Sequence, residues 1–205
     1  DVTTQARKLF CDFLKIFPSR IDQYERLLTP NPLFIDRTKK IGVISGEDAL
    51  RWCLTGPSLR ASGVEFDLRK VHPYTGYEQY DFAIPTDTAG DVYARYRVRI
   101  AEMWQSLKIL KAAFRDLPSG EILAGKKLWN IRVPAGEMYG RVENPKGELG
   151  FFIVSDGTDH PYRYHIRAPS FINLTALGLM CKGHLVADVV AILGSIDIVL
   201  GETDR

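Results

Sequence analysis

Few side chains in this sequence could do chemistry, and the most pointed of them lie at its C-terminal end. Within GHLVADVVAILGSIDIVLGETDR, residues 183–205, Asp197 stands between Ile196 and Ile198, and Glu202, Asp204 and Arg205 follow. A carboxylate in apolar surroundings must pair with a cation, stay protonated or escape to water, because an unpaired buried ion is strongly unfavourable. Such a residue is a candidate for a functional site. The plain alternative is that Asp197 reaches solvent at a fraying chain end. Elsewhere the standard catalytic patterns are missing: there is no Gly-rich phosphate loop, no GxSxG elbow, no HExxH and no cysteine pair. SGEILAGKK, residues 119–127, has two glycines but lacks the Gly-Lys-Ser/Thr ending of a phosphate loop. His165 alternates with Tyr164 on an expected strand and has no partner at ligand spacing, so it reads as structural.

The elements that must position these residues follow from periodicity. Residues 3 to 28 predict one long helix or two end to end, with Leu9, Phe10, Phe13, Leu14 and Phe17 on one face and a kink or restart at Pro18. Ser45 predicts an N-cap for a short helix that stops at Thr55-Gly56-Pro57. Asp91 caps the clearest helix, whose stripe is Val92, Tyr96, Ile100, Met103, Leu107, Leu110 and Phe114. Arg95, Arg97, Arg99, Lys108 and Lys111 are expected to point mostly away from that stripe, on a solvated face. Three antiparallel strands are expected at Tyr139 to Val142, Gly150 to Ser155 and Tyr162 to Ile166, with turns at residues 144–147 and at Asp156-Gly157. Pro169-Ser170 opens a short helix. In the terminal stretch, Val186, Val189, Val190 and Leu193 have the spacing of a buried helix face, with Gly194 closing the helix; an extended tail through Ile196, Ile198 and Leu200 is expected after it. The fold class is therefore α+β, mostly helical: a bundle built chiefly on 3–28 and 91–114 with a small antiparallel sheet at about 138–166.

Composition narrows the function classes. With 205 residues the chain can bury a sizeable core. It carries 27 basic and 25 acidic residues, a formal net charge of +2, which gives no case for a nucleic-acid partner. The irregular stretch 56–82 mixes Arg60, Asp67, Arg69 and Lys70 with Phe66, Tyr74, Tyr77 and Tyr80; internal ion pairs explain it better than a nucleic-acid surface, since acids are interleaved. The three cysteines lie far apart and suggest neither a disulfide framework nor a metal site. The apolar run near the C-terminus contains Asp188 and Asp197 and is shorter than the roughly 20 apolar residues that span a bilayer. The first residues, with no initiator Met and no signal-peptide layout, read as the middle of something longer.

Four segments, GPSLRASGVEFDLRKVHPY, NPKGELGFFIVSDG, PYRYHIRAPSF and the terminal stretch ending in Gly-Glu-x-Asp-Arg, together resemble the C-terminal half of the D-subunit family of proton-pumping NADH-quinone oxidoreductase, respiratory complex I. That family is in turn similar to the large subunit of [NiFe] hydrogenases. The resemblance implies a [NiFe]-hydrogenase large-subunit-like helical bundle with a small antiparallel sheet. It also implies one piece of a larger domain: mainly helical over 1–117, the sheet over 138–166, and helices with a C-terminal tail over 169–205. Aligned on Asp197, the nickel-binding cysteine positions of hydrogenases hold Val199 and Glu202, so no metal is expected. The hydrogenase Glu-x-Pro-Arg-Gly motif appears as residues 143–147 with Lys146 for Arg, and Pro-Ser/Thr-x-x-Asn appears as residues 169–173.

What the family implies is a quinone-reducing cavity beside an iron-sulfur cluster held by a neighbouring subunit. By that carry-over Asp197, Val199, Glu202 and Arg205 belong to the quinone cavity, with Lys146 and Ser170 behind them. The resemblance further implies NADH as the electron donor of the complex, FMN and Fe-S clusters in partner subunits, quinone as the substrate, and no cofactor bound by this chain itself. No catalytic residue is assigned here, since the His and Tyr thought to contact the quinone lie in the family's N-terminal half. Partners are the other hydrophilic and membrane subunits, including the adjacent Fe-S subunit. The place implied is the cytoplasmic face of the bacterial inner membrane, or the matrix side if mitochondrial. Two rival readings stand beside this one: a non-catalytic assembly or docking module of a hydrogenase-related membrane complex, and a [NiFe]-hydrogenase large subunit.

Overall fold

The computed structural model describes residues 2–118, 120, 123, 125 and 131–204. The first helix, α1 (Thr4–Leu28), is capped by Thr3, whose hydroxyl accepts from the Ala6 amide at 3.1 Å. It runs unbroken through Pro18, so the expected restart does not occur. Short helices α2 (Pro32–Asp36), α3 (Gly46–Arg51), α4 (Pro57–Arg60) and α5 (Leu68–Val71) follow, then a 3-10 turn at Tyr77–Gln79. Ser45 caps α3 as its sequence position predicts, accepting from the Asp48 amide.

The long helix α6 (Val92–Arg115) starts at Asp91, whose carboxylate accepts from the Ala94 amide at 2.7 Å and the Lys40 amide at 2.7 Å. Against it lies α1. Ile21, Ile100 and Leu107 are buried between them with Leu14, Phe17, Tyr96, Met103 and Trp104 at the margin, and Phe10 stacks on Phe114. The stripe read for α6 is the one used. That read for α1 is only half used: Leu9 and Phe13 face outward.

Strands β1 (Gly136–Asn144), β2 (Gly147–Ser155) and β3 (Pro161–Arg167) form one antiparallel sheet in that order, the first pair in register from Gly136 opposite Ser155 to Asn144 opposite Gly147. The hairpin end at residues 144–148 is the part drawn into the protein; most of β1 and β3 is exposed. After it come α7 (Pro169–Thr175), α8 (Leu177–Cys181), α9 (Val186–Ile196) and α10 (Leu200–Thr203). The main core gathers Leu54, Leu59, Val92, Met180, Ile192 and Ile196, so the front of α6 and the C-terminal helices share one interior. The mostly helical α+β class is thus the observed one. No helix among the described residues is long and apolar enough to cross a membrane.

Two expectations for the terminal stretch are corrected. Gly194 does not close the helix, which continues to Ile196, and the tail expected to be extended makes the helical turn α10. The valine stripe is not the buried face: Val186 and Val190 are 89% and 76% exposed, while Asp188, Ile192, Ser195 and Ile196 face inward. Asp188 can be buried because its carboxylate accepts from the Leu185 amide at 3.1 Å and pairs with Arg37 at 3.1 Å.

Candidate functional site

The site is built around the seat of the β1–β2 hairpin. Asn173, buried on α7, accepts from the Thr55 amide at 3.1 Å and donates to the Lys146 carbonyl at 3.1 Å and the Thr55 carbonyl at 3.3 Å. The Thr55 hydroxyl accepts from the Glu148 amide at 3.0 Å. The turn can press this closely because it meets glycine on both sides: a Cβ on Gly56 would lie 2.6 Å from the Gly147 Cα. Both glycines also have positive φ, +67° and +132°. A Gly147→Ala substitution would therefore place a methyl 2.8 Å from the Thr55 carbonyl carbon. It is expected to cost about 1–3 kcal/mol from overpacking alone. A lowered melting temperature of the subunit would show it.

This seat aims Lys146 at Asp197, and the two form an ion pair. Asp197 caps α9 in the left-handed region, φ 62° and ψ 50°, a conformation that Asp tolerates better than most residues. Its side chain is 46% exposed, and the Arg99 Nε lies 3.8 Å from its carboxylate on the other side. The isolated carboxylate of the sequence reading is therefore one acid shared by two cations, from the sheet and from α6.

Two cavities meet at this acid. One, of about 530 Å³, has an apolar wall that includes Phe17, Met103 and Leu107 and a charged wall that includes Arg60, Glu143 and Asp197. The other, of about 430 Å³, is lined in part by Phe34, Tyr96 and Ser195, and again by Arg99 and Asp197.

Behind the charged wall stands a buried hub. The Arg60 guanidinium donates to Glu102 at 2.6 Å, Glu143 at 2.8 Å and the Phe66 carbonyl at 3.0 Å, with Asp67 at 3.7 Å. Burial works against its charge, yet Glu102, Glu143 and Asp67 together hold Arg60 above its ordinary value. In Glu143 burial outweighs the pull of Arg60, and the carboxyl is raised. Asp67 has the opposite balance: burial opposes its charge, but two short bonds from Arg69 and the charges of both arginines hold it below its usual value. Arg60, Asp67 and Arg69 of the irregular stretch 56–82 thus turn inward, in ion pairs, while Glu65, Lys70, Glu78 and Asp81 stay exposed.

The remaining predicted residues divide. Ser170 and Glu202 come together: the Ser170 amide donates to the Glu202 carboxylate at 3.1 Å and its hydroxyl does so too, while the Val199 amide donates to that hydroxyl at 3.3 Å. That knot ties α10 to the start of α7. Val199 and Glu202 line neither cavity described above. Arg205 lies outside the described residues. Among the described residues no three His, Cys, Asp or Glu side chains gather as a metal site would need.

Sequence reasoning placed Arg95 and Arg99 on a solvated face, and this is corrected. Arg95 is wholly buried, donating to the Ser195 hydroxyl at 2.8 Å and to the Gly90 and Gly42 carbonyls at 2.8 and 2.9 Å. Arg99 is largely buried beside Asp197. Their four-residue spacing, one above the other on α6, was the available signal.

The family model for the respiratory-chain NADH dehydrogenase 49 Kd subunit matches residues 1–128 and 125–205. The second of the NADH-quinone oxidoreductase D subunits of Solibacter usitatus is 52% identical over 194 residues, covering 95% of this chain and 52% of the relative. The D subunit of Dehalococcoides mccartyi is 53% identical over 192 residues, covering 94% and 52%. That of Methylacidiphilum infernorum is 49% identical over 218 residues, covering 95% and 52%. The chain spans about half the length of the curated relatives it matches. With both segments of the family model spread along nearly its whole sequence, the chain belongs to the respiratory-chain NADH dehydrogenase 49 Kd subunit family.

Proposed function

We propose that this chain is part of the subunit that helps form the quinone cavity of a proton-translocating NADH-quinone oxidoreductase. Relatives about half identical to it are named as NADH-quinone oxidoreductase subunits. The observation that carries the reading to particular residues is the placement of Asp197, held between Lys146 and Arg99 where both cavities meet. FMN and Fe-S clusters of partner subunits would supply the electrons from NADH, and this chain would supply position, charge and protons at the quinone. As negative charge grows on a quinone oxygen, fixed cations at this edge stabilise it without reorganising. Asp197 keeps those cations in place and gives the site an acid that reaches water. Val199 and Glu202, on the turn that Ser170 anchors, belong in this reading to the C-terminal wall that the cavity acquires once the partner subunits are present. The chain is a single piece, residues 1–205, of a larger domain that sits peripherally on the membrane, on the cytoplasmic face in a bacterium or the matrix face in a mitochondrion.

Photolabelling tests this directly. A short-chain quinone bearing a photoreactive group, irradiated with the intact complex, is expected to label peptides containing residues 144–147 or 197–202, and unlabelled quinone should protect them. Protected labelling confined to other subunits would return the chain to the reading of a docking module.

A further inference from the structure

Asp197 ends α9 in a left-handed backbone conformation, and α6 packs against α9. Two arginines a turn apart grip the end of α9. Arg95 bonds the Ser195 hydroxyl, and its other nitrogens are satisfied by the Gly42 and Gly90 carbonyls, so among the described residues no carboxylate pairs with it directly. Arg99 donates to the carbonyl of Ile196, the residue immediately before Asp197, at 3.4 Å, and to the Arg95 carbonyl at 3.2 Å, while its Nε faces the Asp197 carboxylate. One side chain therefore touches both the backbone that sets the direction of Asp197 and the charge that Asp197 presents. It also forms, with Asp197, the wall common to the two cavities. Lys146 can pair with the carboxylate but makes no bond to the α9 backbone.

We infer that Arg99 is a positioning residue for quinone reduction: it fixes the left-handed turn at Asp197 and thereby the carboxylate at the cavity edge. This rests on the reading that Asp197 belongs to the quinone cavity. The surroundings agree with it. Burial depresses the Arg99 guanidinium below its ordinary value, against the pull of Asp197 and Glu102. Burial first, and then the like charge of Arg99, push Arg95 down to about 10. Two crowded cations this far from water need a nearby acid, and Asp197 is the acid facing Arg99 across that shared wall.

The test is a double-mutant cycle in the intact complex with Arg99→Gln, Asp197→Asn and the pair, reading KM and kcat for a short-chain quinone. NADH oxidation by a hydrophilic acceptor that takes electrons upstream controls for assembly. Arg99→Gln is expected to raise the quinone KM about five-fold, in the range of a lost charge-assisted contact. The double variant should be no worse than Asp197→Asn alone, and Arg99→Lys should recover part of the loss. If the two effects multiply independently, or if Asp197→Asn impairs quinone reduction and Arg99→Gln does not, Arg99 does not act through Asp197 and the inference falls. If Asp197→Asn itself is silent, the quinone-cavity reading fails first, a different pattern. Should Arg99→Gln not assemble, the same cycle with Arg99→Lys decides: a single ammonium nitrogen lacks the planar fork by which Arg99 reaches the carboxylate and the Ile196 carbonyl from separate nitrogens, so a shift that vanishes in the Asp197→Asn background is again required.

Discussion

Asp197→Asn in the intact complex is expected to lower quinone reduction by about tenfold or more while the subunit still assembles, the size typical of a charge that acts in the reaction rather than in folding. The substitution isolates charge from shape. Asn is nearly isosteric and shares the tolerance of Asp for the left-handed region, so the turn that ends α9 is preserved. What goes is the acid between Lys146 and Arg99, whose side chains are mostly withdrawn from water. Without it, two cations face each other across a carboxamide, and Coulomb repulsion in a poorly solvated site moves them apart. Asp197→Ala adds a second injury, because a left-handed Ala costs about 1–2 kcal/mol. A larger loss for Ala than for Asn, with steady-state quinone kinetics as the measure, separates backbone from charge.

Arg60→Met has the largest expected effect on stability. Arg60 joins α4 to Glu102 on α6 and to Glu143 on β1, and only 3% of its side chain meets water. Met nearly matches the length of the stem but leaves three carboxylates without their common partner. Breaking a buried ion pair from one side costs about 3–5 kcal/mol. That is a large share of the total stability of an ordinary domain, about 5–15 kcal/mol. The subunit should therefore melt well below the wild type or fail to accumulate. Arg60→Lys keeps the charge but offers one nitrogen where Glu102, Glu143 and the Phe66 carbonyl need several, so it should fall between. Melting temperature and soluble yield are the measurements; wild-type values for Arg60→Met would mean that the three acids are satisfied without Arg60.

Local chemistry made much of this fold legible. Ser45 and Asp91 cap helices because their oxygens suit orphan amides, and Pro169 opens α7 because its missing amide is not needed there. The sheet and its turns followed from alternation and from the glycines. What escaped was decided by distant partners. Apolar periodicity does not tell that Val190 faces out and Asp188 in; Asp188 caps the Leu185 amide three residues before it, and Arg37, far off in the chain, supplies its ion pair. The residue chemistry of Arg95 and Arg99 favours water, and partners distant in the chain overturn that default: the carbonyls of residues 42 and 196, the Ser195 hydroxyl and the Asp197 carboxylate. The site divides the same way. Asp197 was conspicuous for its apolar neighbours, whereas its pairing with Lys146 depends on Asn173 and two facing glycines, contacts that span the chain.

The most direct test is a ratio: quinone reduction divided by NADH oxidation with a hydrophilic upstream acceptor, in purified complex carrying Asp197→Asn and in wild type. The upstream activity counts assembled enzyme, so the quotient isolates the quinone step. A quotient about tenfold below wild type, with the upstream rate unchanged, is the predicted result. An unchanged quotient in fully assembled complex would contradict it and leave Asp197 as a surface acid that pairs Lys146 and Arg99 for structure alone.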